Sequence, residues 1–186
     1  MFIKKIEACF AILYTKLIRV KSGKKSRIYK PIQIDNPKNI CLKNNVKVFH
    51  NSWLMGPSNS GIGLIIDNGT VIGHFAHIIA YKNVYIGKNV LCADRVFISD
   101  CNHEYRDINL PILEQGIREI RDVNIGDGSW LGENVCVCGA SIGKHCVIGA
   151  NSVVIKDIPD YSVAVGIPAK VIRRYDFKLK EWVKVN

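Results

Sequence analysis

The chain has no apolar stretch near its start that could cross a bilayer: residues 8–14 form a run of seven, against the roughly 20 a spanning helix needs. It has no CxxC pair and no signal peptide, and its seven cysteines are an odd number. A secreted disulfide framework is thereby excluded, and reduced thiols in a cytoplasmic protein are expected, most of them serving as small buried hydrophobes. Within residues 31–160 no helix-turn-helix pattern appears, nor any interleaving of aromatic and basic residues, so nucleic acid is not expected as a partner. General disorder is excluded as well, because 186 residues with 48% hydrophobic content suffice for one ordinary domain with a core.

Charge is plentiful, and its distribution matters more than its total of +10. Residues 1–30 carry +8, residues 31–160 carry −2 and residues 161–186 carry +4. The body is near neutral and the basic charge sits at the two ends. At the first end, Lys4, Lys5, Lys16, Arg19 and Lys21 alternate with Phe2, Ile3, Ile6, Phe10, Leu13, Leu17 and Ile18. That pattern predicts a basic amphipathic helix, able to dock on its own body, to lie on an anionic membrane face, or both.

The remainder repeats every six residues. From Ile86 the chain reads IGKNVL, CADRVF; from Ile125 it reads IGDGSW, LGENVC; from Ile142 it reads IGKHCV, IGANSV, VIKDIP. Earlier hexads from Leu42 and Ile66 are looser. Each hexad supplies one short strand and a turn, and three complete a triangular coil with the aliphatic position inward. Glycine or asparagine is expected at the left-handed corners that other residues resist. An antiparallel sandwich would place its turn signals every 8–12 residues, so the fold class predicted is all-β, a left-handed parallel β-helix. The expected divisions are an N-terminal segment 1–30, a β-helix 31–160 and a tail 161–186. Between Val137 and Ile142 the hexad spacing falls one residue short, which predicts a tightened corner at Gly139.

The run from Val123 to Tyr175 resembles the C-terminal half of the hexapeptide-repeat acetyltransferases, above all those that O-acetylate bacterial surface sugars. Galactoside, maltose and serine acetyltransferases are more distant relatives. The resemblance covers about residues 30–175 and is most specific from Ile142 to Arg173.

The flat faces of such a coil offer little concavity, so a site needs an excursion or a neighbouring subunit. Residues 101–122 form the one long excursion in the repeat region, polar and of mixed character, which favours function over a flexible linker. His103 stands where this loop leaves the coil, and the resemblance implies that it is the catalytic histidine. An imidazole titrating near pH 6.5 can take the proton of an alcohol as it attacks a thioester carbonyl. Its orienter is left open among Asp100, Glu104 and a main-chain carbonyl. His77 and His74, one coil earlier, are candidates for reaching the acceptor, while His50 and His145 read as surface positions. Trp130 is read as a core cap or as a wall for the acceptor sugar, and Glu104 to Gly116 as the segment that reads the acceptor.

The resemblance implies acetyl-CoA as acyl donor, with contacts at the main chain of Glu133 and Ala150 and at Lys156 and Arg173, and Lys170 as a further cation. Two departures stand out: Glu133 occupies a position where relatives have a small residue, and Ile155 one where threonine is common. A homotrimer with each site between two subunits is implied too. The same fold can carry a zinc carbonic anhydrase, but the histidine spacings here do not match its three-histidine set, so no metal is expected. The reading is an O-acetyltransferase acting on a sugar hydroxyl of a surface polysaccharide or its lipid-linked precursor. Transfer to a small soluble acceptor, or a non-catalytic scaffold, are the alternatives.

Overall fold

The structure, a computed structural model, describes residues 2–58 and 61–185 and, for residues 2–4, the backbone alone. The side chains of Phe2, Ile3 and Lys4, counted above on the helix, lie outside the described residues. After a helix, Phe2–Leu17, strands of two or three residues succeed one another and stack into three parallel sheets, the faces of a triangular prism. The first face holds Lys21–Ser22, Ile40–Leu42, Leu64–Ile66, Val84–Ile86 and Val123–Ile125. The second begins Arg27–Ile28, Lys47–Val48, Val71–Ile72 and continues through Leu91–Cys92, Trp130–Leu131 and Val147–Ile148 to Ser162–Gly166. On the third lie Gln33–Asp35, Trp53–Met55, His77–Ile79, Phe97–Ser99, Cys136–Cys138 and Val153–Val154. The predicted left-handed β-helix is the fold.

Its core is a set of in-register columns. Leu42, Ile66, Ile86 and Ile125 stack on one another and on to Ile142 and Ile158. Ile28, Val48, Ile72, Cys92, Leu131 and Ile148 form a second column, and Leu54, Ile78, Ile98, Val137 and Val154 a third. All are buried, and each aliphatic side chain in these columns contributes about 1.5–3 kcal/mol of apolar burial.

The role expected of glycine is corrected at the second hexad position. A Cβ on Gly126 would lie 2.4 Å from the backbone carbon of Gly143, and one on Gly143 2.4 Å from the Asp160 nitrogen. Glycine stands there because the next coil passes too close for any side chain. The left-handed corners fall two residues later, at Asn45, Asn89, Asn134 and Asn151, with φ between 52° and 59°, and Phe75, Arg95 and His145 adopt them too.

Coil length also departs from the 18 residues that three hexads predict. Registers Ser22↔Leu42 and Ile66↔Ile86 give 20 residues, whereas the bridge Ile125↔Ile142 gives 17. The surplus sits at the corner from the third face to the first. At residues 80–83 the buried carboxylate of Asp100 accepts the main-chain N–H groups of Tyr81, Lys82 and Asn83 at 2.7, 2.7 and 2.8 Å. Where the spacing is short, Gly139 takes a φ of 53° and donates its N–H to Ser99 at 2.8 Å.

The excursion leaves from that same corner after the fourth coil. It begins as an antiparallel hairpin, Cys101–His103 against Ile117–Glu119, with a short helix, Ile112–Gln115, near its tip. At the far end the second face is extended antiparallel by Ala169–Asp176 and Glu181–Lys184. The aromatics of the tail pack on one another, Phe177 edge-on to Tyr161 at 4.9 Å and Tyr175 against Trp182 at 5.5 Å, and Tyr161 stacks on His145 of the body at 5.7 Å.

Candidate active site

His103 ends the outgoing hairpin strand, in register with Ile117, and its side chain is exposed. Among the described residues nothing hydrogen-bonds its imidazole. Both candidate carboxylate orienters are engaged elsewhere. Asp100 holds the corner described above. Glu104 accepts the main-chain N–H groups of Tyr105 and Arg106 at 2.9 and 3.2 Å, and the Arg106 guanidinium grips it from the side. That pairing holds the Glu104 carboxyl down at about 2. It is an ionised turn anchor of the excursion, with Arg118 3.8 Å away.

His77 lies on the outer side of the third face, stacked on Trp53 with centroids 4.3 Å apart and set edge-on to Phe97 at 5.4 Å. Its buried Nε2 has no hydrogen-bond partner among the described residues, and burial pushes its pKa down. A neutral imidazole in an aromatic stack results. His74 instead meets Asp94 at 3.2 Å and stacks on Phe49 and His50.

Trp130 projects half-exposed from the second face, away from the excursion's corner. A row runs in register from it through Val147 and Val163 to Arg173. Four strands set about 4.8 Å apart make that row about 14 Å long, apolar in the middle and cationic at one end. Lys170 sits on the strand of Arg173, opposite Val165. Glu133 and Ala150 occupy successive turns of the corner between the second and third faces, and the Asn151 N–H donates to the Glu133 carbonyl at 2.8 Å. Lys156 is exposed on the corner from the third face to the first. The structure thus brings Trp130 and Arg173 onto one face and sets His103 on a different corner of the same prism.

No family model matches the chain. It is 37% identical over 142 residues to a protein named as the lipopolysaccharide biosynthesis O-acetyl transferase WbbJ of Escherichia coli (strain K12), covering 67% of this chain and 72% of that one. The chain belongs to the hexapeptide-repeat acetyltransferase family. A protein named as an acetyltransferase in Mycobacterium tuberculosis is 46% identical over 104 residues; the match covers 55% of this chain and about a third, 34%, of that relative's length. Among solved structures, the N-acyltransferase AntD from Bacillus cereus, in complex with dTDP and 3-hydroxybutyryl-CoA, superposes with a TM-score of 0.74 at 19% identity, covering 89% of each chain. That likeness shows the fold.

For a hexapeptide-repeat acetyltransferase, the carboxylate of Glu133 is the unusual feature, and Arg95 offsets it with a hydrogen bond of 2.5 Å to Oε1. The Glu133 carbonyl is taken by Asn151, while the N–H groups of Glu133 and Ala150 have no hydrogen-bond partner among the described residues. Sequence reasoning missed a thiol pair. Cys136 and Cys138 lie on the outer side of one strand with sulfurs 3.5 Å apart, and the hydrogen bond between them pulls the Cys136 thiol down while pushing Cys138 up. The period-two spacing of a strand was the available signal; it puts both on one side. His50, read as a surface position, holds the N-terminal helix through Glu7 at 2.9 Å. Among the described residues no group of three His, Cys, Asp or Glu side chains is placed to hold a metal.

Proposed function

We propose that this chain transfers acetyl from acetyl-CoA to a sugar hydroxyl of a bacterial surface polysaccharide or its lipid-linked precursor, in the cytoplasm, with His103 as general base. The observation that carries the reading is the isolation of His103. It stands exposed at the root of the excursion while both neighbouring carboxylates are spent on the fold. Such an imidazole is free to accept the proton of an incoming hydroxyl. The hydroxyl oxygen then attacks the thioester carbonyl, the C–S bond breaks, and the imidazolium returns the proton to the departing thiolate, leaving an acetyl ester and free CoA. No covalent enzyme intermediate is needed.

The row from Trp130 to Arg173 suits the donor. Val147 and Val163 offer an apolar track for a pantetheine arm, and Arg173 with Lys170 a cationic end for phosphates. The main chain at Glu133 and Ala150 and the ammonium of Lys156 are the further contacts proposed for CoA. Trp130, His77 and Glu104 are the residues proposed to border the acceptor. Because the base and the row sit on different sides of one prism, the reading includes a homotrimer in which one subunit's His103 faces the next subunit's second face.

Release of CoA from acetyl-CoA, screened against polysaccharide repeat units and small soluble sugars, tests the proposal. Turnover is expected with a saccharide acceptor, and His103→Ala is expected to lower kcat by about 10²–10⁴-fold. Retention of a large share of turnover by His103→Ala overturns the assignment of the base. Turnover with free sugars alone replaces the polysaccharide by a small acceptor, and silence on every acceptor overturns the enzyme reading.

A further inference from the structure

The N-terminal helix has two apolar sides, where a helix that only caps a body needs one. Its inner side is accounted for. Arg27 and Tyr29 donate their N–H groups to the second coil at 3.0 and 2.9 Å, so the N–H of Ile28 between them points off the open edge of the first coil. Thr15 Oγ1 accepts that N–H at 2.8 Å and donates to the Ala11 carbonyl at 2.7 Å, and both Ala11 and Thr15 are buried. The helix therefore closes the end of the prism and satisfies an edge that would otherwise be bare.

The outer side has no such account. Ile6, Phe10, Leu13 and Leu17 follow one another at spacings of four, three and four residues, which places them in one stripe along the helix. They are 41%, 68%, 54% and 71% exposed. Exposed Lys5 and Lys16 line one side of the stripe, and Arg19, Lys21, Lys24 and Lys25 follow it on the surface. Residues 1–30 carry +8 while residues 31–160 carry −2. An apolar stripe with cations along one side, at the more basic of the two ends of a near-neutral body, is complementary to an anionic lipid surface and to little else that is apolar.

We propose that this stripe inserts into the interfacial layer of an anionic bilayer leaflet, so that the β-helix docks by its N-terminal end. The helix lies on the surface and does not cross, in keeping with its length and hydropathy. End-on docking sets the excursion of the fourth coil three coil spacings, about 14 Å, beyond the first coil. A base at that height faces the headgroup side of the leaflet, where a sugar carried on a lipid would stand. The docking itself rests on the helix alone, so it stands or falls separately from the acyl-transfer chemistry.

Sedimentation of the full-length protein with vesicles tests it. Binding to vesicles of equal parts phosphatidylglycerol and phosphatidylcholine is expected to exceed binding to pure phosphatidylcholine at least tenfold, and to weaken as salt is raised. The variant Phe10→Ser/Leu13→Ser/Leu17→Ser is expected to lose at least tenfold in binding with its melting temperature kept, because these side chains are exposed. Lys5→Gln/Lys16→Gln/Arg19→Gln is expected to lose binding to the anionic vesicles alone. Equal binding by the serine variant and the unaltered protein overturns the proposal, as does failure of the unaltered protein to sediment with anionic vesicles. A fall in solution mass in the serine variant, with vesicles ignored by both proteins, would show an interface between copies of this chain instead.

Discussion

Asp100 precedes the excursion by one residue, and it ties together both sides of the loop's root. Its carboxylate collects three N–H groups of the preceding corner, and its carbonyl accepts the N–H of Ile120, where the chain returns, at 2.8 Å. A side chain with one hydrogen-bond partner is replaceable, but removal of this buried one takes the partner from three main-chain donors at once. Asp100→Ala is therefore expected to cost about 3 kcal/mol or more, since hydrogen bonds to charged groups contribute about 1.5–3 kcal/mol each and lost ones carry a desolvation penalty. Thermal or urea unfolding measures it. Glu104→Gln is the contrast: its partners are exposed, so its replacement is expected to leave the unfolding midpoint close to that of the parent. An Asp100→Ala protein as stable as the parent would show that water replaces the carboxylate at that corner. Nothing local distinguishes the two acids in DCNHE; what separates them is the coil above, which the sequence does not display.

The hexads are legible where two neighbouring coils press on each other. In the later coils, glycine at position two records the approach of the next backbone, so the repeat is plain from Ile125 onward. The earlier coils widen to between 20 and 24 residues at one corner, and there the pattern blurs; at residues 80–83 a distant carboxylate, not a local turn residue, fixes the geometry. The excursion was legible as an interruption, and His103 as the histidine at its root; that its first and last residues pair as a hairpin was not, since three-residue strands carry almost no period. Such a hairpin is marginal alone and depends on its root. Its tip is another matter: Ile108 and Leu113 are 93% and 89% exposed, too apolar for a loop that serves only to connect. Replacing residues 105–115 with Asn-Gly, the preferred two-residue hairpin turn, is expected to leave melting within about 1 kcal/mol of the parent. The KM for the acceptor is expected to rise at least tenfold and that for acetyl-CoA to stay. An unchanged acceptor KM would remove the tip from acceptor recognition.

A prism with the proposed base, His103, on one corner and the proposed donor track on another face cannot use both within one copy unless the substrates wrap around an edge. The proposed packing of three copies around an axis would resolve this, because each subunit's excursion would then face its neighbour's second face. The exposed aliphatics of the tip and the half-exposed Leu91 and Trp130 are surfaces that such packing would cover. A solution mass of about three times 20.8 kDa is expected by light scattering. Mass alone does not show that sites are shared; complementation does. Co-expressed His103→Ala and Arg173→Glu chains, each nearly inactive by itself, would assemble sites that pair an intact base from one subunit with an intact cationic end from the next. In randomly mixed trimers about a quarter of the sites combine both intact halves, so turnover is expected to return to about that fraction of the parent's. If base and donor track belong to one subunit, no mixture of the two variants regains activity. A trimer of the right mass that fails to complement would keep the assembly and overturn the shared site.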